Sequence, residues 1–259
     1  MSDVFYLRFT LYVLFPMNLT NKVTLITGGA KRVGKAIVQA FAARGCKLVV
    51  HYHTSHREAE QTVQELLAAG HEAMAVQADV TKETEVAQMV ETAVARFGRI
   101  DVLVNNAAVF FRTPIDTLSI EEWERMLDVN LTGTFLCARK IGLCMREWGW
   151  GHIINIADVA GQRPWADYIP YSVSKACVIT LTQGLALELA PEVMVNAIIP
   201  GPVLFQDETP EPVRQREIEK TLAKRAGTPE EIAELVVFVA ESDYSTGGLF
   251  HVDGGRALA

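Results

Sequence analysis

Tyr171 and Lys175 stand four residues apart in Tyr-Ser-Val-Ser-Lys, and Asp158 precedes the tyrosine by thirteen. Residues four apart on a helix share a face, so this spacing sets an ammonium beside a phenol. A phenol titrates near ~10 and exchanges protons poorly at neutral pH. A neighbouring cation favours the phenolate and lowers that value. The expected chemistry is proton donation by Tyr171, tuned by Lys175. Asp158 adds a second acid, because a carboxyl in a partly desolvated pocket has a raised pKa and can feed a proton onward. The other reading of Asp158 is a strand-end turn residue that satisfies backbone N–H groups. Its spacing from the Tyr–Lys pair favours the chemical role.

A second constellation lies far upstream, in Lys22-Val-Thr-Leu-Ile-Thr-Gly-Gly-Ala-Lys-Arg-Val-Gly34. Val23 to Ile26 read as a short buried strand. Thr27, Gly28 and Gly29 turn the chain, and Gly34 opens a helix to about Arg44 with Ala36, Ile37, Ala40 and Phe41 on its apolar face. Strand, glycine turn and helix N-terminus together make a phosphate cradle of backbone N–H groups. The next strand ends in His51-Tyr-His53 without an acid. Folds that bind NAD place Asp or Glu there, on the ribose 2′-OH. With the acid gone and Lys31, Arg32, His51 and Ser55 nearby, a 2′-phosphate is favoured. The expected cofactor is therefore NADP(H).

The elements that must position these groups alternate along the chain. Candidate strands are 23–27, 47–52, 72–77, 101–105, 152–156, 193–198 and 248–252. Candidate helices are 33–44, 56–69, 83–97, 121–147, 170–190 and 229–241. Such alternation predicts an α/β fold: a single-domain, Rossmann-like, doubly wound parallel sheet with helices on both faces. The long irregular stretch from Pro200 to about Pro212 holds four prolines and reads as a lid.

The 259 residues, 49% of them apolar, suit one domain with a large core. A net charge of −7 with scattered basic residues speaks against nucleic acid. Cys46, Cys137, Cys144 and Cys177 show no CxxC spacing and no disulfide framework, so a reducing cytoplasm is expected. His51, His53 and His56 lack a carboxylate or thiolate at ligand spacing, and no metal is expected. Residues 1–18 stand outside the pattern, which runs from 19 to 259. Phe5 to Phe15 is interrupted by Arg8 and shorter than the ~20 residues a membrane span needs. The expectation there is a mis-assigned start or an extension, not a membrane anchor.

Thr27-Gly-Gly-Ala-Lys-Arg-Val-Gly34, Asn105-Asn-Ala-Ala108, Tyr171-Ser-Val-Ser-Lys175, Pro200-Gly201 and Val252-Asp-Gly-Gly255 follow one another in order. In these motifs the chain resembles the short-chain dehydrogenase/reductase family from about residue 19 onward. The resemblance implies a seven-stranded parallel Rossmann fold. It implies that Asp79 contacts the adenine, with Val80 beside it, and that Asn105, Asn106 and Ala107 end the fourth strand against the cofactor. Val33, Ala108, Pro200, Gly201 and Val203 join the implied cofactor contacts, and Asn130 would hold a water linked to Lys175. Arg32 stands where the family often has glycine, and Asp158 where it usually has a catalytic serine.

An Asp–Tyr–Lys set at this spacing is similar to that of pteridine reductases within the family. So are Ala30-Lys-Arg-Val-Gly34, His51-Tyr-His53, Asn106-Ala-Ala-Val-Phe110 and Gly201-Pro-Val-Leu-Phe205. Phe110 then matches the aromatic that stacks a pterin on the nicotinamide, Arg32 a residue near both phosphate and pterin, and Leu204 a pocket residue. Ala108 replaces a serine that hydrogen-bonds pterin and cofactor in some members. The implied reaction is hydride transfer from NADPH to a dihydropterin or dihydrofolate, with Tyr171 as acid. Phe110 and Phe111 have core or lid packing as their plain alternative. Trp165 and Tyr168 line the pocket or a subunit contact. The rival reaction is reduction of a 3-oxoacyl-[acyl-carrier-protein] or another carbonyl, and a non-catalytic NADPH sensor is a third reading. The partner is a small-molecule substrate, and family likeness implies a homotetramer.

Overall fold

The computed structural model describes residues 17–205 and 209–259. The expectations about an N-terminal extension fall on residues 1–16, which lie outside the described residues. Seven strands form one parallel sheet in the order β3-β2-β1-β4-β5-β6-β7. They are β1 (Val23–Ile26), β2 (Lys47–Tyr52), β3 (Ala73–Gln77), β4 (Val102–Asn105), β5 (Gly151–Ile156), β6 (Val193–Pro200) and β7 (Leu249–Val252). The order reverses between β1 and β4, which in register pair Thr24 with Val102 and Ile26 with Val104. Ligands of open α/β sheets bind beyond the carboxyl ends of the strands at such a switch point.

Successive side chains of a strand point to opposite faces, and both faces here are covered. Ile26, Leu48, Val50, Val102 and Val104 pack under α1 (Arg32–Ala43), α2 (His56–Ala68) and α8 (Pro229–Ala240). Leu25, Val49, Leu103 and Ile153 pack under α3 (Glu83–Phe97), α5 (Gly133–Glu147) and the end of α6 (Ile169–Leu189). Each such side chain contributes about 1.5–3 kcal/mol by leaving water. This two-sided burial explains why the strands read as apolar runs rather than alternating ones. Cys137 is buried in the second layer and Cys144 is half-buried; all four cysteines are free.

Two expectations need correction. The helix expected at 121–147 is three pieces: α4 (Ile120–Leu127), a wide π-turn at Asp128–Thr132, and α5. Ser119 caps α4 in a capping box with Glu122. The π-turn inserts an extra residue and turns Asn130 into the interior, a common device near functional sites. The candidate helices also omit one, because α7 spans Glu211–Glu219 just where the irregular stretch from Pro200 ends. Its sequence, EPVRQREIE, carries no apolar stripe, and none of its residues is buried. Hydrophobic periodicity therefore gives no sign of it.

Candidate active site

Two cavities open at the carboxyl ends of the strands. The first, about 790 Å³, is lined by Gly28, Lys31, Arg32, Val33, His51, Ser55, Asp79, Val80, Asn106, Ala107 and Ala108 among others. The second, about 600 Å³, is lined by Phe110, Asp158, Trp165, Tyr168, Tyr171, Lys175, Pro200, Gly201, Val203, Leu204, Glu217 and Arg256 among others. Arg32, Val33, Asn106 and Ala108 line both. The two cavities thus meet at one wall, and an elongated ligand can lie across it.

The first cavity fits a dinucleotide. Lys31 begins α1 in an extended conformation with no side-chain cap, so the first-turn N–H groups have no side-chain acceptor there. An anion beside them satisfies these donors and meets the positive end of the helix dipole. Close approach needs bare backbone: a Cβ on Gly34 would stand 2.1 Å from the Gly28 carbonyl oxygen. The turn is locked from β4. Thr27 Oγ1 accepts from the N–H groups of Asn106 and Ala107 at 2.9 and 3.0 Å, and Asn106 Nδ2 donates to the Thr27 carbonyl at 2.9 Å. Arg32 has φ +54°, the left-handed region that glycine enters freely, and its guanidinium donates to the Leu204 carbonyl at 3.3 Å. Holding an arginine there costs about 1–2 kcal/mol. Strain of this kind concentrates at functional sites.

His51 is not the phosphate-facing cation that the sequence suggests. The Gly28 N–H donates to its Nδ1 at 3.1 Å, and its Nε2 lies 3.0 Å from the Ala78 carbonyl oxygen. That arrangement requires the neutral ring with the proton on Nε2. Burial pushes its pKa down to about 4, against the favourable Ala78 contact. His51 braces the glycine turn, while Lys31, Arg32 and Ser55 line the same cavity.

In the second cavity the three acid–base groups come together. Asp158 follows β5, and α6 carries Tyr171 and Lys175. A buried polar ladder ties those elements: Asn105 Nδ2 donates to Asn155 Oδ1, and Asn155 Nδ2 to Thr182 Oγ1, each at 2.9 Å. Asn105 therefore faces the interior instead of a cofactor. Tyr171 donates its hydroxyl proton to Asp158 Oδ2 at 3.0 Å. The other carboxylate oxygen accepts from the Ala160 N–H at 2.8 Å. Lys175 Nζ donates to the Ile156 carbonyl at 2.7 Å and lies 5.7 Å from the Tyr171 ring centre.

Burial pushes the Asp158 carboxyl up to about 6, although Ala160, Lys175 and Tyr171 all favour its charge. Burial pushes Lys175 down to about 8, with Asp158 pulling the other way. The tuning expected at Tyr171 is reversed: burial and then the Asp158 carboxylate raise its pKa. A carboxylate nearer than the ammonium outweighs it, so the phenol keeps its proton. Tyr171 and Asp158 share that proton as a pair instead of forming a phenolate beside Lys175.

Asn130 lies in neither cavity. Its amide accepts from the Val109 N–H at 2.8 Å and donates to the Val109 carbonyl at 3.0 Å and to Ser174 Oγ at 3.2 Å. The side chain implied to hold a water clamps the segment leading to Phe110 to α6. Phe110 stacks on Tyr168 with ring centres 4.8 Å apart and planes 5° apart, and meets Tyr171 edge-on at 4.8 Å. Trp165 joins this wall, and its buried Nε1 has no hydrogen-bond partner among the described residues. The Arg112–Asp167 ion pair at 2.7 Å pins the turn that carries Trp165 and Tyr168. Glu217 and Arg256 escape a reading of the sequence alone. The first sits on a helix without periodicity, the second just past the Val252-Asp-Gly-Gly255 turn.

A parallel sheet with a glycine cradle at its switch point and an acid–base set beside it is the architecture of a nucleotide-dependent oxidoreductase. The family model described as enoyl-(acyl carrier protein) reductase matches residues 28–257. The chain is 40% identical over 247 residues to a 3-oxoacyl-[acyl-carrier-protein] reductase of Synechocystis, covering 93% of this chain and 98% of that one. It is 36% identical over 249 residues to glucose 1-dehydrogenase 2 of Bacillus subtilis, covering 93% and 96%. Among solved structures, a Serratia marcescens short-chain dehydrogenase/reductase variant superposes with TM-score 0.87 at 31% identity, covering 93% of this chain and 99% of that one. A blue fluorescent protein from a metagenomic library, in complex with NADPH, superposes with TM-score 0.86 at 33% identity, covering 93% and 100%. The chain belongs to the short-chain dehydrogenase/reductase family.

Proposed function

We propose that the protein is an NADPH-dependent reductase of a carbonyl substrate in which Tyr171, backed by Asp158, delivers the proton. The observation that carries this is the 3.0 Å hydrogen bond from Tyr171 to Asp158 in a cavity that shares Arg32, Val33, Asn106 and Ala108 with the one at the phosphate cradle. The cofactor is NADP(H). Lys31, Arg32 and Ser55 would hold its 2′-phosphate, and the glycine turn its pyrophosphate. When bound, it supplies a hydride from the nicotinamide ring. Tyr171 gives its proton to the substrate oxygen as charge develops there. Lys175, positive below about pH 8, offsets the phenolate that remains. A protonated Asp158 returns a proton to Tyr171, and a carboxyl titrating near 6 is poised for that step. The relative in Synechocystis is named for 3-oxoacyl reduction, which supports a carbonyl over other acceptors.

A second reading, reduction of a dihydropterin or dihydrofolate, is favoured by one pairing of observations. An acid in place of a serine suits protonation of a ring nitrogen, and Phe110, Tyr168 and Trp165 form a wall suited to a flat heterocycle. Nicotinamide absorbance with NADPH, followed against an acetoacetyl thioester, dihydrobiopterin and dihydrofolate, separates the two. Efficient turnover of the thioester with none of the pterins selects the first reading, and the converse selects the second. Turnover of neither set refutes both. Assembly as a homotetramer fits apolar side chains on the outer helices, with Leu187 of α6 85% exposed and Phe238 of α8 63% exposed.

A further inference from the structure

Arg256 is a charge without an adequate partner. Its side chain is 8% exposed, and it lines the second cavity. Arginine cannot shed its proton to relieve burial. A buried charge must therefore be paired and hydrogen-bonded, or it costs several kcal/mol. Among the described residues the Arg256 side chain donates no hydrogen bond, and its Nε is buried with no partner. The nearest carboxylate oxygen, Glu217 Oε2, stands 3.6 Å from Nη2, too far for a hydrogen bond.

Glu217 is also shared. Lys220 Nζ lies 2.6 Å from its Oε1 and Arg216 Nε 3.6 Å from the same atom. One carboxylate thus stands among three cations, all of them lining the same cavity. The local balance is positive by two charges. The surplus is not spent on Asp158, which Arg256 influences only as the last of several contributions. A rigid guanidinium with unfilled donors, set in a concave site that carries excess positive charge, is the arrangement that recognises a carboxylate through paired hydrogen bonds.

We propose that Arg256 is a specificity-determining residue that binds a carboxylate on the substrate in the second cavity, with Glu217 as its only ion-pair partner among the described residues. This rests on the reductase reading above and narrows the substrate to an acidic one. The incoming carboxylate takes the Arg256 donors, and Glu217 keeps Lys220. Oxo acids of increasing chain length fit this description, and so does the glutamate tail of dihydrofolate.

The test compares each acid with its methyl ester. The pairs are oxo acids of increasing chain length and dihydrofolate, with NADPH and the full-length protein. The wild type is expected to prefer at least one acid over its ester by tenfold or more in kcat/KM. Arg256→Gln should cut that preference at least tenfold, mostly through KM, and Arg256→Lys should cut it less. Glu217→Gln should lower KM for the acid. Retained NADPH binding certifies that a variant is folded, since Arg256 does not line the first cavity. The hydroxy acid and its ester are also titrated against the NADP⁺-loaded protein, reading tryptophan fluorescence because Trp165 lines the cavity. This arm reports on Arg256 even if no substrate is turned over, in which case the reductase reading fails separately. A wild type that neither prefers nor binds any acid over its ester overturns the proposal, whatever the fate of the variants. So does a folded Arg256→Gln protein that keeps the preference.

Discussion

Asp158 should weaken the fold above pH 6 as the cost of its chemistry, and Asp158→Asn should expose that cost. The carboxyl is raised from 3.8 to about 6, chiefly by burial. A folded-state pKa above the unfolded one means that the native protein holds the proton more tightly. The penalty is therefore complete above pH 6, shrinks as pH falls through the window down to 3.8, and vanishes below it. Every tenfold gain in proton affinity on folding corresponds to ~1.4 kcal/mol, so the full penalty is about 3 kcal/mol, falling to roughly half of that at pH 5 and to a small remainder at pH 4. An asparagine can keep both contacts, its oxygen accepting from the Ala160 N–H and its amide donating to the Tyr171 oxygen. Without cofactor, Asp158→Asn should gain about 2–3 kcal/mol at pH 8, a rise in Tm of about 5–10 °C for a chain of this size. The gain should be roughly halved at pH 5, while reductase turnover falls at both. Urea titrations and thermal melts at the two pH values measure it. A loss of stability at pH 8, or an equal gain at both, would refute the view that desolvation dominates this carboxyl.

Tyr171→Phe should lower turnover by about 10²–10⁴-fold, the usual worth of a positioned proton donor. Titration of NADPH by fluorescence should show its affinity within about threefold of the wild type, a margin of ~0.6 kcal/mol. Arg32→Gly should reduce the preference for NADPH over NADH at least tenfold, ~1.4 kcal/mol. The same variant should melt higher by relieving the +54° φ, a combination that dissociation constants and calorimetry report together. Leu187→Glu should shift the particle mass seen by light scattering below that of a tetramer, because a charge on an apolar α6 face opposes its burial; an unchanged mass places the contact elsewhere.

Local order was legible because it is local. Val23–Ile26 and its parallel neighbours announce buried strands by apolar runs, and five ordered motifs mark the family. The four-residue spacing of Tyr171 and Lys175 does put both on α6, facing one cavity. What spacing cannot carry is the environment that packing builds across distant segments. It named Lys175 as the partner of Tyr171, yet the closer group is Asp158, brought within 3.0 Å by the fit of β5 against α6. It offered His51 as a cation, while a contact with Gly28 and another with Ala78 keep the ring neutral. It passed over Arg256 and Glu217, whose meeting joins α7 to the turn after β7. Residue type and helical period are properties of a short window. Protonation depends on burial and on charges that only the folded chain brings near, and so the acid–base character of this site was decided by the tertiary structure.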